Sequence, residues 1–316
     1  MGVFRLIVPG RMACSRGMKH LKHRLVLLPI FFAAAATALH ALEGTEGCYS
    51  YNDKETGHTM NVWYCKPAGF TPDTPVVITL HGAGRGAKSS LNTLAPYAKQ
   101  MGFMLLAPEF SKKNFPTLDE YNYGNYHAAG RVNPKSQWSY TILERIFKDF
   151  VETRERTNAR DYYLYGHSAG AQFAHRMALL LPEAKIKMVI AANAGTYAMP
   201  QFQARWPYGL GGTGVTEKEL GRYLGIPMTI LLGDKDNDPN HRALTRGAEV
   251  DEQGIHRFGR GTNFFNLGKA TAEKLKVVFG WKYQIVPGAG HEGGKMAAAA
   301  ARLVCDDMKL EKERRP

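Results

Sequence analysis

At 316 residues, 44% hydrophobic and 22% charged, the chain can bury a full core and lacks the composition of a disordered protein. Its formal net charge is +13, yet no run of basic residues interleaved with aromatics occurs, so composition gives no support to a nucleic-acid partner. Lys112, Lys113, Arg154, Arg156, Arg160, Arg257 and Arg260 are scattered and read as a solvated surface, one that attracts anionic substrates.

Residues 1–38 contain no acid, carry six Lys or Arg, and end in the apolar run Leu25 to Ala36 followed by Ala36-Thr37-Ala38. This is the pattern of a signal peptide, with Met18 as an alternative start. The run is shorter than the ~20 apolar residues of a membrane span. Removing its six charges from +13 leaves +7. The expectation is a protein secreted or held in the periplasm, with no membrane attachment once mature. Residues 39–316 are expected to form a single catalytic domain.

Two strand-like runs at about 47–66, separated by Asp53-Lys54-Glu55-Thr56-Gly57, read as a hairpin. Cys48 and Cys65 bracket it, and in an oxidising compartment a disulfide between them is the expected outcome. Cys305, in the last helical stretch, reads as a buried thiol.

From there strands and helices alternate, as in a mostly parallel sheet covered on both faces. The strands are Val76 to Leu80, Phe103 to Ala107, Tyr162 to Tyr165, Lys187 to Ala192, Met228 to Leu232 and Lys282 to Val286. Helical spacing marks Ser89 to Gln100, Tyr140 to Thr157, Ala169 to Leu181, Asn263 to Leu275 and Gly293 to Lys312. Residues 109–138, 194–226 and 237–262 are longer than ordinary connections and read as rims or lids.

Gly166-His167-Ser168-Ala169-Gly170 fits G-x-S-x-G and lies between a strand and a helix. That setting puts a nucleophilic serine on a sharp turn, where flanking glycines admit neighbouring backbone and the helix start offers free N–H donors. His81-Gly82-Ala83-Gly84 follows a strand where an oxyanion hole would be completed, so the N–H groups of Ala83 and Ala169 are the candidate donors. Each such donor is worth about 3 kcal/mol of transition-state stabilisation. His81 itself reads as a turn residue.

A serine needs a base, then an acid to orient it. Beyond Ser168 and its helix lie His241, His256 and His291, and only His291 follows the last strand directly, in Gly288-Ala289-Gly290-His291. His175, about two helical turns past Ser168, points away and reads as a surface residue. The acid lies in Gly233-Asp234-Lys235-Asp236-Asn237-Asp238, with Asp236 first and Asp238 second. The same aspartates open like a calcium loop, but Pro239 stands where glycine is required and Thr245 where glutamate is. No metal or cofactor is indicated.

These four landmarks, HGAG, GHSAG, the late acid and GAGH, are similar to those of the α/β-hydrolase superfamily over most of residues 75–300. Within it, the chain resembles the secreted polyhydroxybutyrate depolymerase and feruloyl esterase group. The resemblance implies an eight-stranded-type sheet, a Ser168–Asp236–His291 triad, and hydrolysis of a small-molecule or oligomeric ester through an acyl-enzyme. Tyr197, Trp206 and Tyr208 are candidates to wall the substrate pocket, and Trp138 a weaker one. Two other functions use the same fold: hydrolysis of an acidic polyamide such as polyaspartate, and ligand binding without catalysis.

Overall fold

The structure, a computed structural model, describes residues 41–314; the expected signal peptide and its alternative start Met18 lie outside them. In chain order the described residues form β1 (Glu46–Asn52), β2 (Thr59–Cys65), β3 (Val76–Leu80), α1 (Ala87–Met101), β4 (Met104–Pro108), β5 (His127–Ala128), β6 (Arg131–Val132), α2 (Ser139–Asp149), β7 (Tyr162–His167) and α3 (Ala169–Leu180). β8 (Ile186–Ala192), α4 (Glu217–Gly225), β9 (Met228–Gly233), α5 (Ala248–Asp251), α6 (Arg257–Leu275), β10 (Trp281–Val286) and α7 (Gly293–Arg314) follow.

Eight strands make one sheet in the order β1-β2-β4-β3-β7-β8-β9-β10. β1 pairs antiparallel with β2, and β2 antiparallel with β4; every later pairing is parallel. Because successive side chains of a strand face opposite sides, the short apolar strands feed two cores. Val76, Ile78, Leu80, Leu164, Val189 and Ile230 pack with residues of α2, α3 and α6. Val77, Leu105, Tyr163, Ile190 and Leu231 pack with residues of α1 and α7. This is the α/β-hydrolase fold.

The hairpin is anchored from a distance. Asp53, 1% exposed at its turn, accepts two hydrogen bonds from Arg145 of α2 at 2.6 and 2.8 Å.

The cysteine expectation is corrected. The register puts Cys48 opposite Trp63 and Cys65 opposite Glu46, so the thiols are diagonal neighbours. Such positions stand about 7 Å apart, beyond the roughly 4 Å between Cβ atoms that a disulfide spans. Cys48 is exposed, Cys65 is buried, and both are free thiols. Cys305 is half-buried and not fully enclosed.

α2 is shorter than its periodicity suggests, passing at Phe150–Arg154 into a π-helical turn. α6 starts earlier than expected, at Arg257, because His256 caps it: its Nδ1 accepts the Gly259 N–H at 2.9 Å. No described helix is long and apolar enough to cross a membrane.

Candidate active site

The turn from β7 into α3 holds Ser168 at φ 57° and ψ −116°, a strained backbone for a residue with a side chain. The surrounding glycines explain how it is enforced. A Cβ on Gly166 would stand 2.2 Å from the Gly170 carbonyl carbon, and one on Gly170 2.3 Å from the Leu80 oxygen. The Ser168 N–H donates to the Ala192 carbonyl at 3.0 Å, tying the turn to β8.

His291 follows β10 and Asp236 follows β9. The His291 Nε2 lies 3.1 Å from Ser168 Oγ, and its Nδ1 lies 2.7 Å from Asp236 Oδ2. A side chain at Gly233 would clash with the Ala289 oxygen at 2.3 Å, so glycine there lets the two strand ends close up. Asp236 is 4% exposed. Burial acts to raise its pKa, but the hydrogen bond from His291 and the nearby Arg257 outweigh it and hold the carboxyl below its usual range. Asp238 is exposed and accepts the Asn240 N–H at 2.8 Å. Asp234 accepts the Gly288 N–H at 2.7 Å. Only one of the three aspartates therefore meets the histidine.

His81 is fully buried. Its Nε2 accepts the Phe110 N–H at 3.0 Å, which leaves Nδ1 to donate to the Gly82 carbonyl at 3.0 Å. Burial pushes its pKa down to about 4, so it stays neutral and scaffolds the turn. Gly82 abuts Ser168: a Cβ there would stand 3.9 Å from Ser168 Cβ. Ala83 is exposed on this turn, and Ala169 opens α3, where the first N–H groups have no intrahelical acceptor.

Several residues arrive that periodicity did not indicate. Asn193, fully buried at the end of β8, donates to the Gly290 carbonyl and accepts the Gly233 N–H, both at 2.9 Å. It thereby joins the loops that carry Asp236 and His291. His241, from the excursion at 237–262, sets its ring 5.4 Å from His291. The His167 ring lies 4.8 Å from that of His291 as well. Burial, and then the proximity of His291, push His167 down to about 3, so it is no competing base.

Four expectations are corrected. Tyr197 is fully buried, stacked on Phe264 at 4.5 Å, and belongs to the core, not to a pocket wall. His175 is likewise fully buried. Its Nε2 accepts the Ala198 N–H at 3.1 Å, and burial holds its pKa well below the ordinary value. Arg257 and Arg260 are 1% and 0% exposed, so neither belongs to a solvated surface; each has a carboxylate partner, Asp236 and Asp251 respectively.

Trp206 and Tyr208 are half-buried. Trp206 packs on Tyr126 at 5.1 Å and beneath the Arg176 guanidinium at 5.7 Å. Trp138 is buried and donates to the Asn133 carbonyl at 2.8 Å.

The most voluminous of the described cavities, 590 Å³, lies at the far ends of the strands among Asp73, Asp161 and Lys187. It is remote from Ser168. A cavity of 290 Å³ adjoins the site, lined by Gly82, His167, Ser89, Ser90 and Gly293, with no charged side chain.

No family profile and no curated protein matches the chain. Solved structures do. The poly(aspartic acid) hydrolase-1 of Sphingomonas sp. KT-1 is 36% identical with a TM-score of 0.80, covering 83% of this chain and 99% of its own. LpqC, a poly(3-hydroxybutyrate) depolymerase of Bordetella parapertussis, is 34% identical with a TM-score of 0.78, covering 85% and 90%. An S-formylglutathione hydrolase of Agrobacterium tumefaciens shares the fold at 16% identity, with a TM-score of 0.53 and coverage of 85% and 95%.

Proposed function

The chain belongs to the depolymerase-like family of α/β-hydrolases and is a serine hydrolase, and we propose that it cleaves carboxylic esters through an acyl-enzyme on Ser168. The observation that carries this reading is the continuous chain from Ser168 Oγ through His291 to Asp236, at 3.1 and 2.7 Å, on a turn whose strain exposes the hydroxyl.

In this reading His291 Nε2 takes the Ser168 proton as Oγ attacks the ester carbonyl, and Asp236 holds the tautomer and stabilises the imidazolium. The N–H groups of Ala83 and Ala169 receive the developing oxyanion. His291 then protonates the departing alcohol. Water repeats the sequence: His291 removes its proton, the hydroxide attacks the acyl carbonyl, and the acid leaves as Ser168 regains its hydrogen. Trp206 and Tyr208 wall the approach. Export, with residues 1–38 removed, completes the proposal; the amino-terminal sequence of the protein recovered from periplasm or medium tests it, and a start upstream of residue 38 overturns it.

Hydrolysis of a p-nitrophenyl ester series from acetate to longer acyl chains, by the wild type and by Ser168→Ala, tests the esterase. Turnover abolished in the variant supports it, and no turnover with any ester refutes it. A second reading, cleavage of an acidic polyamide, is favoured by the 36% identity that spans 99% of the Sphingomonas poly(aspartic acid) hydrolase. Release of fragments from polyaspartate, weakening as salt is added, would establish it.

A further inference from the structure

Asp236 has two partners. While Oδ2 meets His291, Oδ1 accepts from Arg257 Nη1 at 3.2 Å. The Arg257 Nη2 lies 3.4 Å from His241 Nδ1, donating to it. The grip is also in the main chain, since the Phe258 N–H donates to the Asp236 carbonyl at 3.0 Å. The first turn of α6 therefore holds the aspartate at backbone and side chain together.

Two consequences follow. A carboxylate with Oδ1 engaged in a buried ion pair turns only by breaking that pair, so Oδ2 stays on the imidazole. A guanidinium 1% exposed also sets a fixed positive charge against the same carboxylate that meets His291.

The other groups facing His291 leave this effect standing. His167, from the end of β7, is neutral. His241 accepts a hydrogen bond from Arg257, and burial and the Arg257 charge lower its pKa and so favour its neutral form. Glu292 and Lys295, beside His291 and in α7, pair with each other at 3.2 Å.

We propose that Arg257 is a positioning residue for the reaction: it clamps Asp236, and its fixed charge sets the acid limit below which Ser168 loses its reactivity. This rests on the Ser168–His291–Asp236 reading above.

The test is the rate of inactivation by phenylmethylsulfonyl fluoride as a function of pH, which needs no knowledge of the substrate. In R257Q the acid limb should move to higher pH by about half a unit or more, as expected for losing a like charge near the base. In R257K the limb should stay within about 0.2 units while the plateau rate falls several-fold, because an ammonium keeps the charge but not the planar bridge. A folded R257Q whose limb does not move overturns the charge effect, and an R257K plateau equal to wild type overturns the clamp. If R257Q does not fold, R257M, which also removes the charge but keeps an apolar stem, reads the limb in its place, and R257K still reads the clamp. A wild type whose Ser168 does not react at all refutes the triad reading itself, a different failure from an unshifted variant.

Discussion

At the ends of β7, β9 and β10 the site side chains stand on short turns whose backbone is pressed against neighbouring strands, whereas the excursions at 109–138, 194–226 and 237–262 reach their places through distant side chains. In the first region a missing Cβ is what matters: at Gly166, Gly170 and Gly233 any side chain would lie within 2.4 Å of backbone. In the second, position comes from contacts such as Arg176 with the Pro207 carbonyl at 2.9 Å and Tyr126 with Thr213, its hydroxyl donating to the carbonyl at 2.5 Å. Local geometry leaves little freedom for the chemistry, and the rim is free to vary with the substrate.

The sharpest way to break this comparison is at the turn itself. Ser168→Ala should lower kcat by about a million-fold while the thermal midpoint stays within a few degrees; a large fall in stability would mean that Ser168 serves packing instead. Next in size, Asp236→Asn should lose about ten-thousand-fold in kcat and Asp238→Asn almost nothing, measured on one ester. The reverse ranking would displace Asp236.

His81 tests the scaffold beneath the turn. Its pKa is about 4 in the fold against an ordinary 6.5 because burial disfavours the imidazolium. A depressed folded value means that its contribution is whole above pH 6.5 and is lost as pH falls from 6.5 towards 4, when the unfolded chain takes up a proton that the fold refuses. That loss is roughly 3 kcal/mol. Urea unfolding at several pH values should show His81→Gln to be correspondingly less acid-sensitive; an unchanged slope would exclude the assignment.

Smaller still, Trp206→Ala should raise KM by roughly ten-fold with little change in kcat, as loss of uniform binding does. Equal kinetics across the ester series would remove Trp206 from the pocket. At the bottom of the scale, reduction with dithiothreitol should leave the thermal midpoint of the wild type unmoved, since Cys48 and Cys65 are free; a drop of several degrees would reinstate the disulfide.

Much of the site was legible because it follows strands whose apolar runs are unmistakable. Ser168, Asp236 and His291 each lie just past such a run, in the order Ser, acid, His, and they do come together. α4 escaped notice although Thr216 and Glu219 spell a capping box, which the structure bears out in both directions. The start of α6 escaped because Gly259 and Gly261 weaken helical propensity; Gly261 is there for space, since a Cβ would lie 2.5 Å from Leu232.

By itself the sequence determined the layered fold, the Ser168 turn and the three residues that meet there, because hydrophobic period, glycine spacing and chain order are local properties. Only tertiary structure decided which cationic and aromatic residues are inside. Arg257, Arg260, His175 and Tyr197 have no local signal of burial: each is enclosed by partners that the fold brings to it, among them Asp236, Gly195, Ala198 and Phe264 respectively. The same reason applies to Cys48 and Cys65, whose separation depends on a hairpin register set by the pairing of whole strands and not by the thiols.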